Sequence, residues 1–374
     1  MKKLTFVAAA VLGLLSASAV MAQSSVTLYG IVDAAVTHTT KQVGGSRTGV
    51  DAGQLATSRW GMRGTEDLGG GLKANFALES TLINDTGAGG LGFGGNTTVA
   101  GNTVGNAAGS TTSLFDRQAI IGLSGGFGAI TLGRQNILGV DSIGLADPLS
   151  LAQPAINPNV AFSALNSGAF YSSFGTNDGG AALRQNNSIR YATPVMSGFG
   201  GALMHGFGEQ PGNASANTYS GVSGFFSDGK SGVALAYAKL KNRTDNSTLT
   251  LWGGGAKYAV TPALTLRATY AQNEVDTTNR KIAVIGAGVD FLVMPALTLT
   301  GAVYNTKNSG NVDGKANQYV GLAKYALSKR TNLYTIFTHA KAGSAAAKDT
   351  ALGLITTVGN DSANRLSVGV LHVF

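Results

Sequence analysis

The chain has 374 residues, 54 of them glycine and only 7 proline, no cysteine, and a formal net charge of +8. Without thiolates, zinc-finger and iron–sulfur chemistry are excluded, and without a G-X-Y period the glycine is not collagenous. The basic residues are scattered with no run of three, so the charge reads as lining something rather than as coating a nucleic-acid-binding face.

In chain order, residues 1–22 (MKKLTFVAAAVLGLLSASAVMA) open with Lys2 and Lys3. A mostly apolar run from Leu4 to Leu15 follows, then small residues up to Ala22. That is the pattern of a cleaved secretory signal, too short and wrongly flanked for a spanning helix. A second unit, 23–374, then begins at Gln23. No later stretch is apolar for 18 residues, the length a membrane helix needs, so a helical membrane protein is excluded.

Period two dominates the remainder. In Ala263–Asn273, Leu264, Leu266, Ala268 and Tyr270 share one face, while Thr265, Arg267, Thr269 and Ala271 share the other. Such a strand places one face in an apolar medium and the other in a wet one. Elsewhere the wet face holds Lys257, Lys324 and Arg190, and the apolar face ends in aromatics such as Tyr258. Short turns rich in Gly, Pro, Asp or Ser are expected at 67–71, 125–128, 193–198, 227–231, 260–263, 293–296 and 327–330. Long polar segments alternate with them: Thr39–Gly53, Asn84–Thr112, Gln135–Leu183, Gly208–Ala216, Lys241–Asp245, Val275–Asn279, Asn308–Gly314 and Lys341–Asp361. Seven turns joining eight hairpins give sixteen strands, with turns on one rim and loops on the other. The fold expected is all-β: a 16-stranded antiparallel transmembrane barrel wide enough for an aqueous lumen, with both termini periplasmic. The final strand, Arg365–Phe374, carries Leu366, Val368, Val370, His372 and Phe374 on its apolar face and closes against the first strand near Ser25–Val36.

Wall charges follow from the same alternation. Arg59 and Arg63 lie opposite Trp60 and Met62, and Arg184 and Arg190 lie opposite Ile189 and Tyr191, so all four face the lumen. An Arg facing mid-bilayer lipid would cost roughly 2–4 kcal/mol. Simple alternation puts Arg117 with Ile121 and Leu123 on the lipid side, so a bulge is needed to turn it inward. Arg63 is expected to pair with Glu66 near its turn. Arg134 stands at the start of the longest loop, Gln135–Leu183, where Asp141 and Asp147 are candidates for the loop side of a constriction. Asp147, before Pro148, also suits turn formation.

An enzyme is not expected. The four histidines (His38, His205, His339, His372) do not assemble a nucleophile–base pattern, and no G-x-S-x-G occurs. No cofactor or metal motif is found: Gly69–Lys73 lacks the Ser/Thr that follows Lys in a phosphate loop and sits between strands.

The segments SSVTLYGIVDA (24–34), SRWGMRGTEDLGGGLKANFALES (58–80), RQAIIGLSGGFGAITLGRQ (117–135), RQNNSIRYATP (184–194), YALSKRTNLY (325–334) and GVLHVF (369–374) resemble the general porins of Gram-negative outer membranes, most of all the betaproteobacterial type. The resemblance implies a homotrimer in contact with outer-membrane lipid and lipopolysaccharide. It implies passive diffusion of small hydrophilic solutes and ions, with the third loop folded into the barrel, and several members of that type prefer anions. The arginines that narrow the family's pore carry over onto Arg59, Arg117 and Arg184. The alternative is a channel specific for one small anionic solute; the mostly Thr, Ser, Asn, Ala and Gly wet faces favour the general pore.

Overall fold

The computed structural model describes residues 25–89, 97–99, 102–104, 114–152, 184–310, 313–350, 352 and 359–374. The signal expected at 1–22 and most of the expected third loop, 153–183, lie outside them.

The wall is formed by β1 (Ser25–Gln42), β2 (Gly45–Ala52), β3 (Arg59–Gly69), β4 (Leu72–Ile83), β5 (Gln118–Gly125), β6 (Gly128–Asn136), β7 (Arg184–Ala192), β8 (Phe199–Gly206), β9 (Tyr219–Ser227), β10 (Ser231–Lys241), β11 (Thr248–Thr261), β12 (Leu264–Val275), β13 (Arg280–Met294), β14 (Leu297–Ser309), β15 (Gly314–Ala326), β16 (Thr331–Ala342) and β17 (Ser362–Val373). Neighbours pair antiparallel throughout. β2 and β3 lie end to end along β1: β2 pairs with Ala34–Gln42 and β3 with Ser25–Ile31. They fill one position, and the result is a closed sixteen-strand barrel. All seven short turns fall where the sequence places them. At Gly69, Gly70 and Gly71 the backbone has φ of +84°, +60° and +81°, which a side chain would resist. In the 227–231 turn, the N–H groups of Ser231 and Lys230 donate to Asp228 and hold its carboxyl below the usual range.

One expected loop is not a loop. Thr39–Gly53 is mostly the β1–β2 hairpin, turned at Val43–Gly44. Its polar residues alternate as well as apolar ones would, and Gly44 supplies the turn with φ +84°.

Burial is inverted relative to a water-soluble core. Large apolar side chains face out: Leu28, Ile121, Leu235 and Ile285 are more than half exposed. Inside, a helix α1 (Leu138–Gly144) from the third long segment packs on β9, β10 and β11. It can approach because the wall facing it is small. A Cβ on Gly255 would sit 2.6 Å from the Ala146 methyl, and one on Gly288 would sit 2.5 Å from Pro148.

The seam and one buried carboxylate fix the ring. Gly30 and Phe374 exchange both backbone hydrogen bonds at 3.1 Å, and β1 pairs with β17 from Ile31↔Val373 to Thr39↔Arg365. Just above, the fully buried Asp33 accepts the N–H groups of Leu55 and Ala56 at 2.7 Å each and the hydroxyl of Tyr334, pinning the break between β2 and β3. Asp33→Ala leaves those donors unsatisfied, at about 1–3 kcal/mol. The expected outcome is a lower denaturant midpoint for the refolded barrel, followed by tryptophan fluorescence; an unchanged midpoint contradicts the role given to Asp33.

Candidate functional site

Pairing carries side-chain direction from strand to strand, because directly opposite residues point the same way. Arg59 opposes Thr81, and Gly61 opposes Glu79. Lys73, Asn75, Ala77 and Glu79 thus share the lumenal face with Arg59, opposite Phe76 and Leu78. Glu79 is the hub of a charge cluster. Its Oε1 accepts the Arg117 Nε–H at 2.6 Å and lies 3.9 Å from an Arg59 Nη. Its Oε2 accepts the Tyr29 hydroxyl at 3.2 Å.

Arg117 reaches inward, but not by a bulge. β5 begins one residue later, at Gln118. Arg117 sits in the bend before it, its N–H donating to the Glu79 carbonyl at 3.1 Å, so strand parity does not apply to it. Its side chain is 6% exposed against 27% for Arg59.

The alternation reading of Arg184 needs correcting. β7 pairs with β6 at Gln185↔Gln135 and then at Ser188↔Gly133, so it carries an extra residue between them, and Asn187 has φ +49°. The bulge leaves Gln185, Ser188 and Arg190 on one face and takes Arg184 off it. Arg184 is buried, within electrostatic reach of Arg117, Arg134, Asp116 and Glu79. Arg134 joins the cluster through the Asp116 carbonyl, 2.5 Å from its Nε, and through the Asn186 side-chain oxygen. Asp116 is held in turn by the N–H and hydroxyl of Thr81, 2.7 Å each. Four guanidinium groups therefore share one region with two carboxylates, Glu79 and Asp116, a formal excess of two positive charges.

The two loop aspartates part company. Asp141, on α1, pairs with Arg190 at 2.8 Å and is 42% exposed, bridging loop and wall. Asp147 is not a lumenal charge: it is 0% exposed. It accepts the Tyr304 hydroxyl at 3.0 Å and the N–H groups of Leu149 and Leu151 at 3.1 and 2.8 Å, so it folds its own loop segment and fastens it to β14. Arg63 is corrected too. It lies over the Tyr29 ring, 5.1 Å from the centroid, instead of pairing with Glu66. Three residues apart on a strand, Arg63 and Glu66 point to opposite faces.

Sequence reasoning overlooked Glu79, Asp116 and Tyr29. Glu79 carried a signal, being lumenal by parity and isolated among small residues. Asp116, in an irregular stretch, carried none.

A charged cluster on the lumenal wall, facing a loop that enters a closed sixteen-strand barrel, is a pore arrangement, and comparison with known proteins agrees. The sequence profile described as Gram-negative porin matches residues 7–344. The chain belongs to the Gram-negative porin family. Its setting is the Gram-negative outer membrane. Outer membrane porin protein 32 of Delftia acidovorans is 35% identical over 267 residues, 69% of this chain and 66% of that protein. An outer membrane porin protein of Bordetella pertussis is 33% identical over 66% of this chain and 61% of its own length. The chain thus spans just under two thirds of these curated relatives. Among solved structures, an anion-selective porin from Comamonas acidovorans superposes with a TM-score of 0.74 at 28% identity, over 94% of this chain and 100% of that one. OmpT of Vibrio cholerae, in a loop-deletion form, shares the fold at 14% identity with a TM-score of 0.64 over 94% of this chain.

In this porin the Glu79–Arg117 pair is nearly dry, so removing one partner strands the other. Glu79→Gln is expected to cost about 3–5 kcal/mol, read as a lowered denaturant midpoint, and adding Arg117→Gln in that background should recover part of the loss. Independent, additive losses would show that the two groups are not coupled.

Proposed function

We propose that the protein is a water-filled diffusion channel of the outer membrane that passes small hydrophilic solutes and prefers anions, and that it is not an enzyme. The observation that carries this is the excess of guanidinium over carboxylate where Arg59, Arg117, Arg134 and Arg184 gather around Glu79 and Asp116. Arg59 and Arg134 are partly exposed, while Arg117 and Arg184 are buried and act through their field. Buried charge is screened less than surface charge, and guanidinium stays protonated at any relevant pH. A cation passing this wall meets net repulsion, while an anion is drawn in by the selectivity of a charged ring. Of the relatives, one solved structure is itself described as anion-selective, which supports the same sign here.

Among the described residues, α1 packs on β9–β11, nearly half-way round the barrel from β4, so the loop and the cationic wall stand on different sides of the lumen. Asp141 on the loop and the arginines on the wall then act from opposite sides. We extend the reading to a homotrimer in outer-membrane lipid and lipopolysaccharide, with the termini and the short-turn rim periplasmic, on the family resemblance and on the sorting of turns and loops to opposite rims.

The test is single-channel recording in planar bilayers under a salt gradient. The expected reversal potential has the sign of anion preference. Arg59→Gln with Arg184→Gln moves it toward zero while the pore still conducts. A cation-selective native channel would overturn the charge argument, and the absence of conductance would overturn the channel.

A further inference from the structure

On the short-turn side of α1, a cavity of about 290 Å³ lies between the helix and the ends of β7–β10. Its floor is apolar and smooth. Leu145, Val195 and Phe225 line it. Ser223 and Thr193 add hydroxyls. Among the described residues, the ion pair at its edge is Arg190–Asp141, at 2.8 Å, with the two side chains 23% and 42% exposed. Its size stands at the small end of ligand pockets, which run from roughly 300 to 1,000 Å³.

We propose that this cavity is a binding subsite for small zwitterions with a short apolar tail, of the size and chemistry of a free aliphatic amino acid. The proposal rests on the diffusion-channel reading, since solute reaches the cavity through the lumen. The charges at the mouth decide the class. A lone anion drawn to Arg190 meets the carboxylate of Asp141, and a lone cation drawn to Asp141 meets the guanidinium of Arg190. An α-amino acid presents both signs on adjacent atoms. Its carboxylate takes guanidinium N–H donors beyond the one given to Asp141, and its ammonium bonds the remaining oxygen of Asp141. A guanidinium has five such donors, so two carboxylates can share it. A partly exposed pair is weakly held and opens at little cost. The tail then covers Leu145, Val195 and Phe225, which removes apolar surface from water. The Arg59–Glu79–Arg117 cluster offers neither a neutral mouth nor an apolar floor, so the two places select differently: the first by sign, the second by shape and by paired charge.

The experiment records current through single channels in potassium chloride with leucine added. Leucine is expected to produce saturable current interruptions. Glycine has the charges without the tail, and isocaproate has the tail without the ammonium; each should be at least about tenfold weaker. Ser223→Leu fills the floor and should abolish the leucine signal. Asp141→Asn should narrow the gap between leucine and isocaproate, because the ammonium then loses its partner. Conduction of each variant in potassium chloride shows that it has folded and inserted. Equal responses to leucine and glycine, equal responses to leucine and isocaproate in the native channel, or a leucine signal that survives Ser223→Leu each overturn the subsite while leaving the channel reading intact. A native protein that does not conduct overturns both.

Discussion

A strand edge in hydrocarbon has no water to bond, and each backbone group left open costs several kcal/mol. Every other feature of this molecule follows from the need to close the sheet. Closure is made by the first and last strands, with Gly30 and Phe374 bonded to each other in both directions. β1 does more than meet β17. Because it runs past both neighbours, it pairs with β3 below and with β2 above. The break between those two strands would open an edge of its own, and Asp33 repairs it by taking the stranded N–H groups of Leu55 and Ala56. A buried carboxylate is costly unless fully bonded; here its bonds are the repair.

A ring of sixteen strands is too wide for wall side chains to fill. The interior must then be narrowed by something that is not wall, and the wall must make room for it. Gly255 and Gly288 do so, holding bare backbone where Ala146 and Pro148 rest. Asp147 locks the same segment from within by capping the turn that follows and reaching Tyr304 on β14. The inserted segment is therefore held at α1 by Arg190, at the next turn by Tyr304, and between them by contact with glycine.

Much of this was legible in the chain. Alternation gave the faces, Gly and Pro gave the turns, and the strand count followed from both. What was not legible has a common cause. Parity holds only while a strand remains regular, and the arginines of the cluster sit where regularity ends. Asn187 adds a residue to β7 and moves Arg184 off the face assigned to it. Arg117 lies one residue outside β5, where parity has no meaning. Thr39–Gly53 erred the other way: a polar stretch was taken for a loop although polar residues pair along a hairpin as readily as apolar ones when both faces are wet. Asp141 and Asp147 differ by six positions in one loop; Pro148 marks Asp147 as a turn former, but nothing local says that Asp141 meets Arg190 or that Asp147 reaches Tyr304. Those outcomes depend on strands β7 and β14, far away in sequence.

The irregular positions are also the charged ones, and the two facts are connected. Like charges on a regular wall stand at fixed spacings and repel with nothing to absorb the cost. A bulge at Asn187 and a bend at Asp116–Arg117 let carboxylates and carbonyls turn in among the guanidinium groups. Glu79 takes Arg117, and the Asp116 carbonyl takes Arg134. The compensation stops short of neutrality. A wall that balanced its own arginines would be more stable and blind to the sign of what passes; one with no carboxylates would strand several buried cations at a cost of several kcal/mol each. Two carboxylates for four guanidiniums lies between these limits. It leaves a positive field in a medium of low effective dielectric, where charge acts at longer reach than in water.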